Sequence, residues 1–131
     1  MFTIEDINAE ASKVKSGAEF PQFAQALKKM GVTRNDVYVK DGLSIYFDDA
    51  GKSVQSSPEG YPELNVNPES SVEKLKHALE IHQKGESDYF NFCKQAADAG
   101  VEKWIIDTEQ QSCKYLDSEQ NILLEEKIPS I

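Results

Sequence analysis

Two cysteines, two histidines and a set of aromatic side chains are the groups in this 131-residue sequence with most to offer a reaction. A nucleophilic cysteine needs a cationic neighbour to hold it as thiolate. Cys113 alternates with Gln111 and Tyr115 along one strand face, while its adjacent cation, Lys114, points to the other. Cys93 falls within an apolar helical stripe, so both thiols read as buried, reduced side chains. Their separation matches no disulfide scaffold or metal-ligand pattern. His77 and His82 are five residues apart, about 140° around a helix, and so cannot form the i, i+4 zinc pair. His82 ends an apolar stripe, and His77 reads as solvent-facing. Phosphate-binding loops, dinucleotide fingerprints and nucleophile elbows are absent, so neither cofactor nor metal is expected. An enzyme reading, the less favoured one, needs Cys113 and His82 within hydrogen-bond reach in a cleft, with Trp104 and Tyr115 in an aromatic wall.

Charge points elsewhere. Acidic residues number 23 against 14 basic ones, a net charge of −9, and Arg34 is the lone arginine. Direct nucleic-acid binding and adhesion to an anionic membrane are both disfavoured by that balance. No apolar run exceeds three residues, so neither a leader nor a membrane span is expected, and the cytoplasm is the default location. From Asp98 to Glu126 eight acids face only Lys103 and Lys114. Asp107, Glu109, Asp117, Glu119, Glu125 and Glu126 are accordingly expected to form a docking surface for a basic protein partner. Asp48-Asp49 and Asp117-Ser118-Glu119 lack calcium-loop spacing and read as turns.

Ile4, Ile7, Ala11 and Val14 recur at helical spacing between Thr3 and Lys15, with Thr3 as N-cap and Gly17 as breaker. A second helix runs from about Pro21 to Met30, and Gly31 ends it. Val37 to Val39 and Leu43 to Phe47 flank the turn Asp41-Gly42 as a hairpin, followed by a third strand over Lys52 to Ser56. Pro58, Gly60, Pro62 and Pro68 mark residues 58–69 as a connector. The order then restarts: Val72, Leu75 and Leu79 form one stripe, and Tyr89, Phe92, Cys93 and Ala96 another before Gly100. Strands are expected at Lys103 to Thr108, Ser112 to Leu116 and Ile122 to Lys127.

Shifting the chain by 68 or 69 residues lays Ile7 on Leu75, Phe23 on Phe92, Gly31 on Gly100, Tyr46 on Tyr115 and Asp48 on Asp117. The expected fold is α+β and a single domain over residues 1–131. It comprises two helix-helix-β-hairpin-strand repeats, residues 1–57 and 70–129, related by a pseudo-two-fold and sharing one core. Phe20, Phe23, Leu27, Tyr89, Phe92, Ala96 and Trp104 are expected inside it.

The runs Lys13-Val14-Lys15-Ser16-Gly17-Ala18-Glu19-Phe20-Pro21, Tyr38-Val39-Lys40-Asp41-Gly42 and Phe92-Cys93-Lys94, the stretch from Asp98 to Trp104, and the ending Glu126-Lys127-Ile128-Pro129 carry a resemblance across essentially the whole chain. It resembles the small bacterial and prophage-borne family that includes the YbcV and YdfO proteins, a domain of unknown function with some members labelled phage envelope protein. That resemblance implies a bacterial cytosolic setting and brings no catalytic residues. Together with the charge pattern, it leads to the expectation of a noncatalytic interaction or regulatory protein. The alternative is a small-molecule-binding protein or enzyme with a cleft between the repeats.

Overall fold

The structure, a computed structural model, describes residues 2–13, 20–56, 63–86 and 89–128. Val14 to Glu19, Pro58, Gly60, Pro62, Pro129 and the side chain of Tyr89, all used above, lie outside the described residues. The elements run α1 (Ile4–Ala11), α2 (Phe20–Met30), β1 (Arg34–Tyr38), β2 (Ser44–Phe47), β3 (Ser53–Gln55), α3 (Val72–Gln83), α4 (Tyr89–Asp98), β4 (Lys103–Asp107), β5 (Ser112–Leu116) and β6 (Ile122–Lys127). Among the described residues no helix is long and apolar enough to cross a membrane.

Local chemistry sets the ends of these elements. Thr3 Oγ1 accepts from the Asp6 amide at 3.2 Å and Ser71 Oγ from the Lys74 amide at 3.2 Å, satisfying donors that the first turns of α1 and α3 leave open. α2 and α4 stop alike. Gly31 and Gly100 take positive φ, and the amides of Val32 and Val101 reach back to the carbonyls of Leu27 and Ala96, both at 3.0 Å.

The six strands form one antiparallel sheet in the order β3-β2-β1-β4-β5-β6, so the fold class is α+β. Its central pair joins the two halves, with Asp36 opposite Ile105 and Val37 opposite Trp104. β1 starts earlier than expected because Arg34, Asn35 and Asp36, poor strand formers, are each satisfied in place. Asn35 Nδ2 donates to the Ile45 carbonyl at 3.1 Å, and the buried Asp36 carboxylate receives two bonds from the Arg34 guanidinium at 2.7 and 2.6 Å.

Val37, Trp104, Ile106, Cys113 and Tyr115 face the helices, and pack with Leu75, Leu79, Phe92, Cys93 and Ala96 into the larger core. Phe2, Ile7, Leu27, Val32 and Tyr46 make a second cluster under α1 and α2. The single core expected from the helical stripes is therefore divided, although Ala24, Val37 and Val39 of the first half do join the larger cluster. Width explains the division: six strands span about 24 Å, more than one pair of helices covers. Leu27, Phe92, Ala96 and Trp104 are buried, whereas Phe20 and Phe23 are only half-buried at the cluster margins.

Candidate functional site

The aromatic candidates do come together. Tyr115 on β5 stands opposite Trp104 on β4, with ring centroids 6.1 Å apart. Trp104 meets Phe92 of α4 at 5.5 Å, and Phe92 stacks on His82, near the end of α3, at 4.4 Å with 12° between planes. A row of rings thus leads from the half-buried His82 to the buried Tyr115, two residues beyond Cys113 on the same strand face. Phe92, treated above only as core, is the link that sequence reasoning missed, because it needs the α3–α4 pairing to appear.

Burial dominates the chemistry of this row. It pushes the Cys113 thiol up to about 12, opposed by the Tyr115 hydroxyl and reinforced by the charge of Glu126. Tyr115 is raised well above its ordinary range, first by the same loss of solvent and then by Cys113. Both groups stay protonated at neutral pH, so Cys113 is a packed thiol rather than a nucleophile. Cys93 is buried in the same core.

The acidic residues are distributed rather than gathered. Asp107 Oδ1 accepts from the amides of Glu109 and Gln110 at 3.0 and 2.9 Å in the β4–β5 turn. Asp117 Oδ1 accepts from those of Glu119 and Asn121, both at 2.9 Å, in the β5–β6 turn, and the Asn121 amide is the chief cause holding its carboxyl below the usual range. Consecutive turns of an antiparallel meander lie at opposite ends of the sheet. Glu125 pairs across from Lys114 on the face away from the helices, while Glu126 lies across from Cys113 and accepts from Gln83 Nε2 at 3.2 Å. These six acids occupy both ends and both faces.

A groove of about 770 Å³ opens where α3, α4 and residues 64–68 meet. Of its residues only His77 stands out for its chemistry in the sequence, where it reads as solvent-facing. Lys74, His77 and Ala78 come from one face of α3, and Asn91, Lys94, Gln95 and Asp98 from one face of α4. The third wall is fixed by hydrogen bonds: the Asn67 amide donates to the Ala97 carbonyl at 2.9 Å, Asn67 Nδ2 to Asp98 O at 3.0 Å, and the Ser71 amide to Ala99 O at 2.8 Å. The connector therefore caps carbonyls that the end of α4 leaves open. Gly100 permits that approach, since a Cβ there would lie 2.6 Å from Ser70 Cα. Lys74 pairs with Asp98 at 3.6 Å, and Gln95 Oε1 is buried with no partner among the described residues. No group of three or more His, Cys, Asp or Glu among the described residues could hold a metal ion.

A family model described as Protein of unknown function (DUF1398) matches residues 8–127, spanning the sheet, the aromatic row and the groove. The chain belongs to this family. The DUF1398 chain is also similar to mycobacterial proteins: the uncharacterized protein Mb2035 of Mycobacterium bovis and the uncharacterized protein Rv2012 of Mycobacterium tuberculosis are each 28% identical to it over 96 residues. Those 96 residues cover 73% of this chain and 58% of each relative, so the chain spans less than two thirds of their length.

Proposed function

We propose that this DUF1398 chain is a noncatalytic interaction or regulatory protein that works by holding a ligand. The state of Cys113 carries this reading: the side chain best suited to covalent chemistry is 3% exposed and kept protonated. The groove, by contrast, presents ammonium, imidazole and amide groups, the chemistry of reversible binding. A test is to dialyse the purified protein against a bacterial metabolite extract and follow both compartments by mass spectrometry. Retention of a compound in unchanged form is expected. Protein-dependent conversion of a metabolite, lost on Cys113→Ala or His77→Ala, would overturn the reading.

The two halves are read here as repeats related by a pseudo-two-fold. Matching each residue to the one 69 later, as Arg34 to Lys103, makes Asp36 pair with its own counterpart Ile105, as a local two-fold axis requires. The pairs Tyr38–Leu43 and Asp107–Ser112, and the amide bonds Thr33 to Phe47 and Glu102 to Leu116, follow the same match. So do the left-handed residues. Gly42 and Gly51 correspond to Gln111 and Gln120, the two described non-glycine residues with positive φ. The groove departs from this likeness: Lys94, Gln95 and Asp98 correspond to Gln25, Ala26 and Lys29, so its chemistry belongs to the second half.

A further inference from the structure

The helices pack on one face of the sheet, and the other face carries apolar side chains of its own. Ile45 and Ile105 stand on either side of Asp36, Phe47 stands opposite Arg34, and Leu116 stands between Lys103 and Ile122. The first four alternate along their strands with Tyr46, Trp104, Ile106 and Tyr115, which point into the two clusters under the helices. Among the described residues neither cluster includes these five, and Ile122 is 57% exposed. Charge on this face is settled within the chain: Arg34 bridges Asp36 at 2.6 Å, Lys114 stands opposite Glu125, and Lys103 lies 5.5 Å from the Tyr38 ring. With Asp107 and Lys127, four basic and three acidic strand residues face this side, so the net charge of −9 lies elsewhere.

We propose that this open face joins a second copy of the chain, sheet against sheet, in a two-fold dimer. A flat, nearly neutral apolar surface suits a partner of the same kind, whereas the rest of this acidic chain repels a copy of itself. Six strands of about five residues span about 24 by 17 Å, or about 600 Å² of accessible surface with side-chain relief. Two copies then bury about 1,200 Å², the lower bound of a standard interface. Because the charges on the face are already paired, covering it strands none of them. The α3–α4 groove, on the helical side, stays open in such a dimer.

Sedimentation equilibrium of the full chain should show a reversible dimer, twice the 14.7 kDa of one copy, with a dissociation constant in the micromolar range. Raising sodium chloride from about 50 to about 500 mM should strengthen it, since salt screens the repulsion between two acidic chains. Ile105→Glu sets a carboxylate beside Lys114, which a single copy accommodates, and should weaken the dimer about a hundredfold. Ile122→Ser, at the rim, should weaken it about tenfold, while Val72→Ser removes an exposed apolar side chain of α3 and should change nothing. Trp104 fluorescence verifies that each variant folds. In a mixture of ¹³C-labelled and unlabelled copies, isotope-filtered NOEs should connect the Ile105 and Ile122 methyls and the Phe47 ring of one copy to the other. A monomer up to about 1 mM, a dimer that salt weakens, or one indifferent to Ile105→Glu or as sensitive to Val72→Ser would each overturn the proposal. So would intermolecular NOEs confined to the β6 backbone, which mean edge-to-edge pairing, or to the helices.

Discussion

Alanine at Gly100 should cost far more stability than alanine at Gly31, although the two glycines end their helices with the same pair of hydrogen bonds. Both have positive φ, +97° at Gly31 and +87° at Gly100, so each substitution carries a left-handed backbone penalty of about 1–2 kcal/mol. At Gly31 a Cβ meets nothing within 4 Å, and the penalty ends there. At Gly100 the new atom lies 2.6 Å from Ser70 Cα and 3.1 Å from the Glu69 carbonyl, both backbone atoms that no rotamer change can move. Overpacking of that kind adds about 1–3 kcal/mol. Relief by displacing the connector would break the Ser71 and Asn67 amide bonds to α4, each worth about 1 kcal/mol. Gly100→Ala should therefore lose about 2–5 kcal/mol, against about 1–2 for Gly31→Ala. Urea denaturation followed through Trp104, the single tryptophan, measures both on one scale. Losses equal within about 0.5 kcal/mol, the usual scatter of such measurements, would refute the packing of the connector against α4.

Phe92→Ala should cost about 3–5 kcal/mol, because it empties the centre of the His82–Trp104 stack. The half-buried Phe23 should cost roughly half as much in the same urea assay. Arg34→Ala strands the buried Asp36 carboxylate and should lose about 1–3 kcal/mol, partly restored by Asp36→Asn; no loss would show the pair to be idle. Stability should fall as pH rises from about 9 towards 12, because the unfolded chain releases the Cys113 proton there while the folded chain retains it. A Cys113→Ala melt series with an unchanged alkaline slope would contradict that linkage.

What could be read from sequence follows the range of the forces involved. The course of α2 and its glycine stop were legible because apolar period and cap chemistry act within a few residues. The start of β1 was not, because Arg34-Asn35-Asp36 becomes a strand only when Asp36 finds Arg34 and Asn35 reaches Ile45. Cys113 and Tyr115 could be placed on one face from their spacing alone. The stack of His82 on Phe92 required two helices to pair, and the groove required three separate segments to meet. Lys74, His77 and Ala78, with Asn91, Lys94, Gln95 and Asp98, do follow helical spacing, yet the same pattern describes any solvated helix face.

The central β1–β4 pair also has a consequence for the chain as it is made. β1 gains its second neighbour only after β4 leaves the ribosome, about 70 residues later, a wait of about 3–14 s at ordinary rates of synthesis. Through that interval β1 is an open strand edge, the kind of surface on which nascent chains pair with one another. The charged Arg34 and Asp36 lie on that edge and obstruct such pairing, so the residues that make β1 a poor strand by composition guard it until its partner arrives.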